Sequence, residues 1–140
     1  NRGSGVQHIA LLVPNILATM ASVHKQGAKF LEAPASYYEK VPGRLQKAGF
    51  NGKIKEDMHA LAANDILVDG GEKGYLLQIF GHELSRQFKD PRGGALFYEI
   101  IQRAGDNGFG GGNFRALFET IEIDQIAMNK VAAQLPLETV

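Results

Sequence analysis

The sequence contains no cysteine, has no net charge and has no long hydrophobic run. The lack of cysteine excludes disulfide bonds, thiolate zinc sites and a cysteine nucleophile, and it is typical of a cytoplasmic protein. Lysine and arginine number 15 and are balanced by 15 acidic residues, so no charge excess would attract nucleic acid or an anionic membrane. No apolar run approaches the roughly 18 residues that a membrane span requires. We therefore expect a cytoplasmic protein with neither nucleic acid nor a membrane as its partner.

Glycine, in contrast, is abundant. It accounts for 17 of the 140 residues, which is well above its average usage of about 7% in proteins and predicts several sharp turns. A length of 140 residues is that of one compact domain with a buried core.

The pattern of apolar residues and turn signals predicts an α+β fold with a mixed, curved sheet. Between its predicted strands we expect a helix from Ile16 to about Gln26 with Asn15 as its cap, two short helical pieces within 36–65, and a polar surface loop over 82–94. A closing helix is predicted from its cap Asn113 to about Ala133. Later strands connect through hairpins rather than regular helical crossovers, which favours this α+β fold over a doubly wound one. Strands are predicted at 5–13, 28–33, 66–69, 75–81 and 95–103.

Three of these apolar strands each carry one polar side chain within them: His8, Gln78 and Glu99. Taken singly, each is more often a structural residue than a functional one. Burying the ionised carboxylate of Glu99 without a partner would cost several kcal/mol, however, so a buried Glu99 needs a cation. A metal ion supplies that cation and also accepts a neutral imidazole. The combination therefore predicts a metal site if the three side chains share one concave face.

The missing thiolates narrow the choice of metal. Imidazole and carboxylate ligands with open positions suit Fe(II) in a site of two histidines and one carboxylate, or else Mn or Zn. The other histidines, His24, His59 and His82, do not lie at strand positions that would complete such a site. Whether the third metal ligand lies outside this chain is left open.

Four motifs, in this order, resemble the 4-hydroxyphenylpyruvate dioxygenase family: "GVQHIAL", "YLLQIF", "FYEIIQR" and "GFGGGNFRALFETIE". The likeness extends from Gly5 to about Gln125. It implies a βαβββ module of the vicinal oxygen chelate fold with a C-terminal helix. Residues 1–140 would then be a fragment, the second half of the C-terminal catalytic domain of a larger dioxygenase, whose preceding module carries the first histidine ligand.

The resemblance also implies roles for individual residues. His8 and Glu99 would bind Fe(II), and Gln78, Phe109 and Phe114 would be catalytic residues. Phe118 is expected in the core instead. Alternation along the strand turns Gln7 away from His8, although Gln7 matches a family position near the site. The residues expected to bind substrate are Gln7, Gln78, Phe80, Phe97 and Phe114.

The implied function is the oxidative decarboxylation and ring hydroxylation of a 2-oxo acid, 4-hydroxyphenylpyruvate, by dioxygen. The product is homogentisate, in the breakdown of tyrosine and phenylalanine. The fragment would supply two of three iron ligands, would be inactive alone, and would self-associate as a homo-oligomer through the face built for its neighbouring module. Two alternatives stay open: an enzyme like 4-hydroxymandelate synthase, and a non-catalytic oxygen-chelate module fused to another enzyme.

Overall fold

The computed structural model describes residues 5–90, 92 and 94–134. In this part of the chain four strands form one sheet, and none of the helices is both long and apolar enough to cross a membrane. The strands are His8–Leu12 (β1), Leu67–Gly71 (β2), Gly74–Phe80 (β3) and Phe97–Ala104 (β4). The helices are Ile16–Lys25 (α1), Ala35–Lys47 (α2), Met58–Ala63 (α3), Leu84–Gln87 (α4) and Gly111–Gln134 (α5).

The sheet is mixed, with the strand order β1-β4-β3-β2. Strand β1 runs parallel to β4, while β4 pairs antiparallel with β3 and β3 pairs antiparallel with β2. The first and last strands of the chain are thus neighbours, and β1 lies at an edge. This arrangement confirms the predicted α+β class and the βαβββ order with a curved mixed sheet and a closing helix.

Local signals in the sequence account for the best-predicted elements. Helix α1 begins after Asn15, whose side-chain oxygen accepts a hydrogen bond from the Ala18 N–H, and Gly27 follows its end with a positive φ of 80°. Strands β2 and β3 form the predicted hairpin, in which Glu72 and Lys73 make a two-residue connection.

The segment 28–33 was predicted as a strand, and this prediction is wrong. Phe30 makes one isolated bridge with Gly81, and the Leu31 N–H donates to the Phe80 carbonyl. Pro34 is then the N-cap residue of α2, so the chain leaves the sheet after this single bridge.

The first short helical piece predicted within 36–65 is instead the 13-residue helix α2, which even contains Pro42. Its buried residues Tyr37, Val41 and Leu45 are spaced four apart and so form one stripe facing the core. Packing of this stripe outweighs the hydrogen bond that proline removes. The 82–94 loop likewise contains the short helix α4, while Pro91 and Gly93 lie outside the described residues.

Strand β3 is buried at every residue from Tyr75 to Phe80. One of its faces contributes Leu77 and Ile79 to a hydrophobic core that also contains Ile16 and Met20 of α1. The other face is covered by α5, because the ring of Phe114 stacks on Phe80 with 4.1 Å between the ring centroids. A polar side chain on this second face is therefore cut off from water.

The β2–β3 hairpin yields a prediction about stability. Gly74 has a φ of 148°, and a Cβ there would collide with the Ala104 carbonyl oxygen. We expect Gly74→Ala to lower the free energy of unfolding by about 2 kcal/mol or more, measured by urea denaturation. The control is Gly43→Ala in α2, where a Cβ meets nothing within 4 Å, and which should raise that free energy by about 0.5–1 kcal/mol. Equal stability of the two variants would contradict this account.

Candidate active site

Three strands bring His8, Gln78 and Glu99 to the same face of the sheet. His8 pairs with Phe97 across the parallel β1–β4 ladder, and Glu99 pairs with Phe80 across the antiparallel β3–β4 ladder. Residues that pair across strands point to the same face, and so do residues two apart along one strand. The alternation in the sequence therefore predicted this meeting of side chains.

Glu99 is the central group of the cluster, and only 3% of its surface is exposed. The Gln78 amide nitrogen donates a 2.6 Å hydrogen bond to Oε1 of Glu99, and His8 Nε2 lies 3.5 Å from Oε2. Burial raises the pKa of the Glu99 carboxyl above its ordinary value, and the hydrogen bond from Gln78 and the positive charge of Arg103 offset part of this rise. The two carboxylate oxygens thus have different neighbours, an amide on one side and an imidazole on the other.

The imidazole and the free carboxylate oxygen could hold one metal ion between them. Two ligands at about 2.1 Å from an ion in adjacent positions lie roughly 3 Å apart, and Nε2 of His8 and Oε2 of Glu99 are close to that spacing at 3.5 Å. This donor set suits Fe(II), Mn or Zn. Within residues 5–90, 92 and 94–134, no cluster of three or more histidines and carboxylates occurs, so these two side chains alone would leave other coordination positions open.

Aromatic rings surround the pair. The ring of Phe97 stacks on His8 with 5.3 Å between centroids, and Phe114 packs between Phe97 and Phe80 at 5.9 and 4.1 Å. Phe109 meets the His8 ring edge-on at 5.7 Å, but it is 76% exposed. Its carbonyl oxygen accepts a 3.3 Å hydrogen bond from Gln78. The structure therefore places two of the four predicted phenylalanines, Phe97 and Phe109, against the imidazole. The other two, Phe80 and Phe114, pack against Phe97.

Two predicted residues lie elsewhere. Gln7 is exposed just before β1, and it contributes its backbone carbonyl, which accepts from the Phe97 N–H. Its role in substrate binding stays a prediction. Phe118 was expected in the core, and this was wrong, because it is 57% exposed. Its ring is stacked on that of Phe114, with 6.4 Å between the ring centroids. It lies one turn after Phe114 on α5.

Sequence reasoning missed a buried polar group, Asn113, that contacts the site. Asn113 was predicted to cap the closing helix, but α5 begins at Gly111, so Asn113 lies in its first turn with its side chain fully buried. Its amide nitrogen donates to Oε1 of Gln78 at 2.8 Å, and its oxygen accepts from the Tyr37 hydroxyl. Tyr37 and Arg44, seven residues apart on α2, share one helix face, and this spacing was the only available signal.

Comparison with curated proteins identifies relatives of the chain. A 4-hydroxyphenylpyruvate dioxygenase of Caenorhabditis briggsae is 49% identical over 123 residues, which are 88% of this chain and 29% of that protein. The chain is homologous to one part of the 4-hydroxyphenylpyruvate dioxygenases. The enzymes of that name from Neurospora crassa and Pseudomonas aeruginosa are 42% and 45% identical, each over 89% of the chain. The chain spans about 29% to 31% of the length of these dioxygenases.

Solved structures give the same relationship. A mutant of 4-hydroxymandelate synthase from Streptomyces coelicolor superposes with a TM-score of 0.62 and 38% identity over 86% of this chain and 31% of that one. A fusion protein of a xylose isomerase-like TIM barrel and a 4-hydroxyphenylpyruvate dioxygenase also has a TM-score of 0.62, with 30% identity over 83% of the chain and 17% of its own. The predicted vicinal oxygen chelate fold is thereby confirmed. No family model matches the chain.

The close approach of α5 to Gln78 gives a second prediction. Gly110 has a φ of 67°, and a Cβ at this position would collide with the Gln78 amide. We expect Gly110→Ala to displace that amide and to lower the melting temperature by several degrees, since a buried hydrogen-bonded group would lose its partners. In the neighbouring control, Gly111→Ala, a Cβ meets nothing within 4 Å, and the melting temperature should not fall. Parallel thermal unfolding of the two variants tests this, and equal melting temperatures would refute it.

Proposed function

We propose that this chain is the second half of the C-terminal catalytic domain of an Fe(II)-dependent dioxygenase that converts 4-hydroxyphenylpyruvate to homogentisate in tyrosine and phenylalanine breakdown. The observation that carries the proposal is the approach of His8 Nε2 to within 3.5 Å of Glu99 Oε2, beside the aromatic rings of Phe97 and Phe109. The identity of 42% to 49% with curated dioxygenases of this name supports it.

The proposed metal ligands are Nε2 of His8 and Oε2 of Glu99. Fe(II), when bound, supplies the redox chemistry that activates dioxygen toward a 2-oxo acid. The protein contributes the geometry. Glu99 brings a negative charge into an apolar face. Gln78 donates a hydrogen bond to Oε1 of this carboxylate, so Oε2 remains available beside the imidazole of His8.

The aromatic side chains act on the organic substrate. Phe80, Phe97 and Phe114 line the same side of the sheet as the proposed ligands, and we assign to them the exclusion of water and the stacking of the substrate ring. Gln78 and the exposed Phe109 complete the proposed catalytic set. Gln7 is retained as a substrate-binding prediction at the rim.

A chain of this extent would be only part of the site. It spans about 29% of the related dioxygenases, and its described residues offer two ligands where the proposed iron site needs three. We therefore infer that the third ligand comes from a preceding module of the same polypeptide and that residues 1–140 alone are inactive. Residues 1–4 and 135–140 lie outside the described residues. A cytoplasmic location stays a prediction that rests on the lack of cysteine.

A second candidate, an enzyme like 4-hydroxymandelate synthase, is supported by the structural neighbour of that name at 38% identity. Both reactions would start from the same substrate, so the product separates them. Homogentisate carries the new hydroxyl on the ring, whereas hydroxymandelate carries it on the benzylic carbon. Higher identity to curated 4-hydroxyphenylpyruvate dioxygenases favours ring hydroxylation. A non-catalytic module would give neither product and would bind no iron.

The decisive variant for this proposal is Glu99→Gln in the full-length protein. Glutamine keeps the shape of the side chain but removes the charge that would hold Fe(II), so we expect retained iron to fall by more than about tenfold and homogentisate formation to be lost. Iron content per chain and product chromatography measure these effects. Glu119→Gln is the control, because Glu119 is exposed and forms an ion pair with Arg115 on α5. Normal iron content and turnover in Glu99→Gln would remove Glu99 from the site.

The exposed edge of the sheet predicts self-association of the isolated chain. Val6, Leu11 and Leu12 on or beside β1 are between 49% and 71% exposed, which is unusual for large apolar side chains on a strand. We expect sedimentation velocity to show dimers or larger species of the 140-residue chain, and Leu11→Lys to shift them toward monomer. A monomeric parent chain at millimolar concentration would contradict the prediction.

A further inference from the structure

A continuous chain of side-chain hydrogen bonds runs from Glu99 across the sheet to α2. Gln78 donates to Glu99 at 2.6 Å and accepts from Asn113 at 2.8 Å, and Asn113 in turn accepts from the Tyr37 hydroxyl at 2.6 Å. Arg44 donates to the same hydroxyl at 2.8 Å. The chain joins β4, β3, α5 and α2, and Glu99 and Arg44 are its two ends.

The three side chains in the middle of this row of hydrogen bonds are buried. Gln78 and Asn113 have no exposed surface, and Tyr37 is 1% exposed. Buried amides and hydroxyls need their hydrogen bonds, since an unsatisfied group costs about 1–3 kcal/mol. Burial also raises the pKa of Tyr37 to about 12 despite the Arg44 charge, so the phenol keeps its proton at neutral pH and remains a donor.

The direction of each hydrogen bond between Arg44 and Glu99 follows from the groups at the two ends of this row of side chains. Arg44 can only donate and an ionised Glu99 can only accept. The Tyr37 oxygen already accepts from Arg44 and from the Val68 N–H. Its own proton goes to the Asn113 oxygen at 2.6 Å rather than to the Val68 carbonyl, because that carbonyl is more distant at 3.2 Å and already accepts from Arg44. Asn113 must then present its NH₂ to the Gln78 oxygen, and Gln78 must present its NH₂ to Glu99. A flipped amide at either position would set oxygen against oxygen.

We propose that Arg44, Tyr37 and Asn113 are positioning residues that hold the Gln78 amide with its NH₂ on Oε1 of Glu99, and thereby keep Oε2 free beside His8 as the metal-binding oxygen. This inference rests on the proposed function, because it concerns the same carboxylate. None of the three positioning residues touches the proposed ion or substrate. They act through Gln78, across three successive hydrogen bonds.

Two neighbouring tyrosines, Tyr37 and Tyr38, provide a matched pair of variants for the test. Tyr37→Phe removes the hydroxyl that orients Asn113. Tyr38→Phe removes the hydroxyl of the adjacent tyrosine, whose ring packs edge-on against Tyr37 at 5.0 Å. Within the described residues the Tyr38 hydroxyl is buried and has no hydrogen-bond partner, so its loss should change little. The two substitutions delete the same atom from neighbouring rings.

The main readout is the dissociation constant of Fe(II) from the full-length protein, measured anaerobically by competition with a chromogenic chelator. We expect Tyr37→Phe to raise it about tenfold, at the lower end of the effect of outer hydrogen bonds on metal affinity, and Tyr38→Phe to leave it within twofold of the parent. A merely structural role would lower the melting temperature of Tyr37→Phe without weakening Fe(II) binding. An unchanged dissociation constant in Tyr37→Phe would therefore overturn the positioning role.

A readout without metal makes the outcome independent of the proposed function. In the metal-free protein, the side-chain amide protons of Gln78 should exchange slowly with solvent by NMR, and Tyr37→Phe should accelerate this exchange at least tenfold while Tyr38→Phe does not. A parent protein that binds no Fe(II) would overturn the proposed function. Equal exchange rates in the parent and in Tyr37→Phe would overturn the positioning role of Tyr37 even if the parent binds Fe(II).

Discussion

The whole arrangement depends on keeping one carboxylate, Glu99, inside an otherwise apolar face of the sheet. Removing it from water is costly, and the gain from partners must offset that cost. Gln78 supplies a short hydrogen bond and His8 supplies an imidazole, and each comes from a different neighbouring strand. The strand order β1-β4-β3, with β4 in the middle, is what allows both partners to reach the same group.

Helix α5 covers the sheet face that carries this polar cluster. The backbone just before α5 passes so close to Gln78 that only glycine fits at position 110. The first turn of the helix then places Asn113 against Gln78 and Phe114 against Phe80. Asn113 completes the hydrogen bonds of the amide, and Phe114 covers Phe80 with an apolar ring. Polar satisfaction and exclusion of water thus come from adjacent residues of one helix.

Side-chain alternation and caps were enough to predict much of this molecule, since both are local. The faces of β1, β3 and β4, the cap Asn15 and the β2–β3 hairpin follow from such signals. Helix α2 was missed because the packing of its buried stripe, a tertiary effect, outweighs Pro42. Asn113 was misassigned because a cap and a buried amide look alike in sequence. Its partners, Gln78 and Tyr37, are 35 and 76 residues away along the chain.

The parallel pairing of β1 with β4 has a kinetic consequence. Ala10 lies opposite Glu99, which is 89 residues later in the sequence, so the chain must close a loop of that length before the imidazole and the carboxylate can meet. Contacts of such large sequence separation form late and slow folding, whereas the β2–β3 hairpin can form early. The two proposed ligands would therefore come together in one of the last steps of folding, and an intermediate with the hairpin and helices already formed would still be unable to retain a metal ion.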